Sequence, residues 1–174
     1  MLQNILSLNY RSKTIGYTTT DILIIGIIYL LPSFSHLTSI PFYLFEPMRL
    51  AIVFCIINTN QKNSILIALT LPAISLILSS HPDFVKSLLI TAELVLNVLA
   101  FYFISKRLNN SFIVMLISIL MAKIFYYSSK LVLLNMNLIQ GGLISTPLWI
   151  QYIMMFFFSI YTVLAFKKNK ELQF

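Results

Sequence analysis

Long apolar runs alternate with short polar connections along the chain, and this alternation predicts an all-α membrane bundle. The predicted spans lie at about 21–35, 42–57, 64–80, 84–105, 111–134 and 148–166. The fourth and fifth spans are the clearest, because each exceeds the roughly 20 apolar residues that a helix needs to cross the hydrocarbon core. We therefore predict one polytopic integral membrane domain of six transmembrane helices, or five if the weak first or second segment is re-entrant.

The composition supports lipid as the solvent for much of the surface. Hydrophobic residues make up 59% of the 174 residues and charged residues only 10%, whereas a soluble domain carries about 25% charged residues. The net charge of +7 does not indicate nucleic-acid binding, because the basic residues form no patch with interleaved aromatics. The single cysteine, Cys55, excludes an internal disulfide and a cysteine-rich metal site.

The basic residues at the ends of the spans predict the orientation. With the N-terminus inside, the cytoplasmic segments hold eight of the twelve basic residues: Arg11, Lys13, Lys62, Lys106, Arg107, Lys167, Lys168 and Lys170. The positive-inside rule favours this arrangement. We therefore predict a cytoplasmic lead over 1–20, a cytoplasmic tail over 167–174, and a multi-pass protein of the bacterial inner membrane. We do not expect the lead to be a cleavable signal peptide, because its apolar part comes too late.

Two charged residues lie where a membrane span should have none. Glu93 is nine residues into the fourth span and Lys123 is twelve residues into the fifth, from the opposite side. At about 1.5 Å per residue, they lie roughly 14 and 18 Å deep in a core of roughly 30 Å. A lipid-facing charge there costs about 2.5–3.5 kcal/mol on insertion scales. Both side chains are therefore predicted to face the interior of the bundle.

Other polar residues repeat at helical spacing around these two. Lys86, Glu93 and Asn97 share one face of the fourth span, and Lys123, Tyr127 and Lys130 share one face of the fifth. The two spans are joined by a short connection, so the faces are predicted to stack, with Glu93 and Lys123 in the lowest layer. Together with Arg49 and Trp149 at the outer ends of other spans, they predict a polar site that opens outward.

We predict eight residues that bind a small-molecule substrate: Glu93, Lys123, Tyr127, Asn97, Lys86, Lys130, Arg49 and Trp149. With Glu46 and Asp83 included, four bases and three acids lie on this outer side, and the resulting formal charge of +1 favours a ligand with an anionic group. Structural alternatives stand beside this prediction. A Glu93–Lys123 ion pair could lock two helices, Lys86 and Lys130 could snorkel to the headgroups, and Trp149 could belong to an aromatic belt.

Sequence motifs of known enzymes are missing. The chain has no Walker A loop, no HExxH pair and no nucleophile elbow. His36 and His81 are predicted in outer loops without a carboxylate spacing typical of metal sites. We therefore predict no catalytic residues, no metal and no cofactor, and a protein that is not an enzyme.

Three features resemble a known transporter family. They are the Ser39–Phe42 segment before two closely joined spans, the His81–Phe84 turn that leads into the fourth span, and the basic turn at Lys106 and Arg107. In these features and in size the chain is similar to the substrate-binding S component of an energy-coupling factor (ECF) transporter. The resemblance is one of topology and covers most of the chain. It implies that a vitamin-like nutrient binds in the outer half, while a shared transmembrane coupling subunit and two ATPase subunits drive transport.

Two other functions remain open from the residues alone. The first is a non-transporting membrane scaffold, such as the rod-shape morphogenesis membrane protein, which has a similar size and span count. The second is a small membrane enzyme that acts on a lipid-linked substrate. A binding protein needs an open polar cavity, whereas a scaffold is expected to have Glu93 and Lys123 directly paired and sealed.

Overall fold

The computed structural model describes residues 42–79, 83–144 and 146–171, and six separate helical positions at 16, 18, 19, 22, 23 and 26. Except at those six positions, the predicted lead over 1–20 and the predicted first span over 21–35 lie outside the described residues. Both histidines, His36 and His81, also lie outside them.

The described chain is helical, and no β-strand occurs within those ranges. A 3₁₀ turn at Phe42–Phe45 comes first. Five α-helices follow: α1 (Pro47–Asn58), α2 (Gln61–Ser79), α3 (Phe84–Ser105), α4 (Ser111–Asn135) and α5 (Leu148–Glu171). This order confirms the all-α fold class over the described residues.

Three of these helices are long and apolar enough to cross a membrane. They are Phe84–Ser105, Ser111–Asn135 and the Leu148–Lys167 part of α5, which match the last three predicted spans. Helix α5 continues to Glu171, so the predicted tail over 167–174 begins as helix. These helices indicate a membrane protein.

The predicted second span, 42–57, is divided in two. Its helical part, α1, has 12 residues and rises about 18 Å, which is short of a hydrocarbon core of about 30 Å. The break falls at Glu46, whose backbone is left-handed. The predicted third span, 64–80, corresponds to α2, which starts three residues earlier, at Gln61; its apolar stretch Gln61–Ile77 is also shorter than the three long helices.

Side-chain and backbone caps define both ends of α4. The Asn110 side chain accepts a hydrogen bond from the backbone N–H of Phe112 at 3.0 Å, which satisfies a donor that the first turn leaves open. At the other end Asn137 has a left-handed backbone with φ 56°. The N–H of Leu138 then reaches back to the carbonyl of Leu133 at 3.0 Å. This is the Schellman arrangement, and it ends the helix before the connection to α5.

Helices that are consecutive in sequence pack against each other, from α1 to α5, and α1 also contacts α3 and α5. The predicted packing of the fourth and fifth spans is therefore observed as the α3–α4 contact. A buried hydroxyl joins α2 to α3, because Ser87 donates to the carbonyl of Pro72 at 3.1 Å. The core side chains include Ile52, Val53, Cys55, Leu71, Val98, Met115, Ile119 and Phe158. Helix α1 consequently lies against three other helices, and its first turn carries part of the polar site described next.

Candidate functional site

Four charged side chains from three parts of the chain meet inside the bundle. They are Glu46, directly before α1, Arg49 in its first turn, Glu93 in α3 and Lys123 in α4, and we call them the charge cluster. Arg49 Nη1 lies 2.7 Å from Glu46 Oε2, and Arg49 Nη2 donates to Glu93 Oε1. Lys123 Nζ lies 2.6 Å from Glu46 Oε1. Acid and base thus alternate along the cluster, in the order Glu93, Arg49, Glu46, Lys123.

Two uncharged side chains extend the charge cluster to α5. Lys123 Nζ donates to Gln151 Oε1 at 2.8 Å, and the Tyr127 hydroxyl donates to the same oxygen at 2.8 Å. The Gln151 side chain also donates through Nε2 to the carbonyl of Thr146 at 2.8 Å. One amide group therefore connects α4, α5 and the connection between them.

Burial makes the alternation of charge necessary. Arg49 is 4% exposed and Glu93 8% exposed, so neither group has much contact with solvent. Moving an ion out of water costs several kcal/mol, and only well-placed opposite charges and hydrogen bonds offset that cost. Two acids and two bases bring the formal charge of the cluster to zero. The cluster is therefore balanced as it stands.

The backbone at Glu46 is held in an unusual conformation. Its φ of 49° and ψ of 56° are left-handed, and Pro47 follows it. A residue before proline prefers an extended backbone, and left-handed geometry in a residue other than glycine costs about 1–3 kcal/mol. Glu46 occupies the N-cap position but makes no side-chain cap hydrogen bond. Its carboxylate instead bridges Arg49 and Lys123, so the strained residue holds the middle of the cluster.

Two buried polar atoms near the cluster have no hydrogen-bond partner among the described residues. One is Arg49 Nε and the other is Asn97 Oδ1. Arginine presents five N–H donors in a fixed plane, and the Nε–H of Arg49 is a buried donor without an acceptor among the described residues. An acceptor placed beside it would complete the hydrogen bonding of the guanidinium.

The structure brings together four of the eight predicted site residues: Arg49, Glu93, Lys123 and Tyr127. Lys130 is buried two helical turns after Lys123, and its Nζ donates to the carbonyl of Leu143 at 2.8 Å.

The other three predicted residues are placed differently. Asn97 is fully buried one helical turn beyond Glu93, with its amide nitrogen 3.3 Å from Ser118 Oγ. Lys86 pairs with Asp83 at 3.5 Å in a partly exposed position. Trp149 is 65% exposed, as an aromatic belt residue would be. Lys86 and Trp149 do not contact the charge cluster.

Glu93 and Lys123 were predicted to lie together in the lowest layer of the stacked faces, and the structure differs from this prediction in one respect. These two side chains are not within ion-pair distance of each other, because Arg49 and Glu46 lie between them. The first turn of α1 supplies an acid and a base, and each cross-helix charge takes the opposite partner from that turn.

Sequence reasoning left two members of the site out of its predicted set, Glu46 and Gln151. A signal for Glu46 was present, because an acid three residues before Arg49 at a helix start is a pair that can meet. Gln151 had no such local signal.

No group of three or more His, Cys, Asp or Glu side chains that could hold a metal ion occurs in the part of the chain that the structure describes.

Comparisons with protein-family models, with curated proteins and with solved structures found no match to this chain. The function is therefore argued from the charge cluster and its surroundings.

Proposed function

We propose that this protein is the membrane-embedded binding subunit of an uptake system for a small polar nutrient that carries an anionic group. In this proposal the chain crosses the bacterial inner membrane six times with both ends in the cytoplasm. A shared transmembrane subunit and two ATPase subunits supply the energy, since no Walker A loop occurs in the sequence. The observation that carries the proposal is the meeting of Glu46, Arg49, Glu93 and Lys123 between the helices.

The number of charges favours a binding site. Ionisable residues inside membrane segments are expensive, and they mark substrate and ion pathways, proton relays, voltage sensors or ligand counter-ions. A lock between two helices needs one ion pair. Here six polar side chains from four parts of the chain meet: two acids, two bases, Tyr127 and Gln151. A polar ligand requires several such groups to replace its hydrogen bonds with water.

The bases favour an anionic group on the ligand. A guanidinium matches a carboxylate or phosphate through two parallel hydrogen bonds, and Arg49 Nε has no acceptor among the described residues. Glu46 bridges Arg49 and Lys123 from a strained backbone position. An anionic ligand group that takes the place of the Glu46 carboxylate would keep both bases paired and would release that strain.

The scaffold is the second candidate, and one observation favours it. The four charges neutralise one another, and Arg49 and Glu93 are buried, as a structural lock requires. In this reading the charge cluster holds α1 against α3 and α4, and the cytoplasmic ends bind partner proteins.

Native mass spectrometry of the protein purified gently from its own host separates the two candidates. A stoichiometric small molecule, or co-purifying ATPase subunits, is the expected result. The small molecule is then titrated against Lys123→Gln, with Lys86→Gln as the matched control, because Lys86 pairs with Asp83 outside the cluster. Weaker binding is expected for Lys123→Gln alone. A bare chain, or one that carries cell-shape proteins, would overturn the proposal in favour of the scaffold.

A further inference from the structure

A groove of about 380 Å³ lies on the bundle, apart from the charge cluster. Its lining includes Leu96, Leu99 and Phe103 of α3, Lys106 directly after that helix, Gln61 of α2 and Met121 of α4. Leu99, Phe103 and Met121 are 44%, 60% and 48% exposed. The groove therefore opens on the outer surface of the bundle and is mostly apolar.

The groove has the length of one lipid leaflet. Leu96, Leu99 and Phe103 follow one another at three- and four-residue steps, so they form one face of α3, and Lys106 continues this spacing as the residue that caps the helix. From Leu96 to Lys106 the helix rises about 15 Å, and half of a hydrocarbon core of about 30 Å is the same distance. An acyl chain along this face would run from mid-membrane to the polar end of α3.

The polar end of the groove is basic. Lys106 lines the groove, and Arg107 follows it with its guanidinium 5.1 Å from the centre of the Phe103 ring. The stretches 58–63 and 106–110 at this end of the bundle, which include the first turn of α2, contain three basic residues and no acidic residue. A lipid headgroup placed here meets positive charge from Lys106, Arg107 and Lys62.

We propose that this groove binds an anionic phospholipid. One acyl chain packs on Leu96, Leu99 and Phe103, and the phosphate lies against Lys106 and Gln61. The combination of an apolar face of leaflet length and a basic end selects a lipid with a negative headgroup over a zwitterionic one. This inference does not depend on the proposed function, because it uses no residue of the charge cluster.

The test uses the full chain, delipidated in detergent and titrated with phosphatidylglycerol or phosphatidylcholine of the same acyl chains. Native mass spectrometry measures the bound fraction. Lys106→Gln is expected to weaken phosphatidylglycerol binding about five-fold, the contribution of one base near an anionic surface, and to leave phosphatidylcholine binding unchanged. Lys167→Gln is the matched control, because Lys167 is exposed at the end of α5 and does not line the groove.

A second variant tests the acyl-chain contact. Leu99→Trp narrows the groove and is expected to weaken binding of both lipids, whereas Leu131→Trp, at an equally exposed position in α4, is expected to weaken neither. Equal effects of Lys106→Gln and Lys167→Gln would overturn the proposal. Displacement of the lipid by glycerophosphoglycerol, which has the headgroup but no acyl chain, would also overturn it and would indicate a phosphate site instead.

Discussion

Arg49 in α1 donates a hydrogen bond to the carboxylate of Glu93 in α3, across 44 residues of sequence. This contact joins the shortest described α-helix to a helix long enough to span the membrane. Because Arg49 also pairs with Glu46 and Glu46 with Lys123, the contact is one link in a chain of alternating charges. The effect of a substitution on stability therefore depends on which of these ion pairs remain.

Glu93 pairs with one member of the charge cluster, Arg49. Substitutions of Glu93 by Ala and by Gln therefore separate the effect of its charge on stability from the effect of its hydrogen bond. Glu93→Ala leaves the buried Arg49 with Glu46 alone, and we expect a loss of about 3–5 kcal/mol in the free energy of unfolding, typical of a broken buried pair. Glu93→Gln keeps an acceptor for Arg49 and should lose clearly less, yet bind ligand much more weakly. Unfolding titrations in detergent, with and without ligand, measure both. Loss of stability in Glu93→Gln with unchanged affinity would favour the structural lock.

A double-mutant cycle between Arg49 and Glu93 measures the strength of their coupling. We expect a coupling energy in the upper part of the usual range of about 0.5–3 kcal/mol for contacting residues, because both side chains are buried. Arg49→Met with Glu93→Leu should be more stable than either single variant, since no unpaired charge remains and Glu46 still pairs with Lys123.

The Asp83–Lys86 pair provides the control cycle. Its side chains are 71% and 27% exposed, and exposed pairs contribute about 0–1 kcal/mol. Equal coupling energies in the two cycles would contradict the assignment of the Arg49–Glu93 contact as a buried pair.

The Tyr127 hydroxyl is expected to matter for the site more than for the fold. Tyr127→Phe removes one donor to Gln151 Oε1, which keeps Lys123 as its other donor. We expect a stability loss of about 0.5–1.5 kcal/mol, the contribution of a typical hydrogen bond, together with weaker ligand binding. Tyr126→Phe is the control, because the ring that faces Lys130 remains. If both variants bind ligand like the unmodified chain, Tyr127 does not belong to the binding site.

Substitutions of Asn137 measure how much the left-handed turn at the end of α4 contributes to stability, independently of function. Its φ of 56° suits glycine and asparagine but not residues with an ordinary Cβ, for which left-handed geometry costs about 1–2 kcal/mol. Asn137→Ala should lower the free energy of unfolding by about that amount, whereas Asn137→Gly should retain or raise it. Chemical unfolding followed by circular dichroism gives the two values. The same loss in both variants would show that the asparagine side chain, and not the backbone angle, stabilises the turn.

The amino-acid sequence by itself determined the long helices and the membrane character of the protein. The apolar runs at 84–105 and 111–134 coincide with α3 and α4 to within one residue, because a long uninterrupted apolar run has no stable alternative to a helix in lipid. The positions of Glu93 and Lys123 along these helices followed from counting along the same runs. Helical periodicity also placed Lys123 and Tyr127 on one face, and both contact Gln151.

The tertiary structure alone decided which charges meet. Glu93 pairs with Arg49 and not with Lys123 because α1 packs against α3 and α5, and this brings its first turn between the two predicted partners. Periodicity reports which face of a helix a residue occupies but not which distant segment covers that face. The break of the second span at Glu46 could not be predicted from the sequence either. The left-handed backbone of Glu46 accompanies the contacts of its carboxylate with Arg49 and Lys123, and these contacts exist only in the tertiary structure.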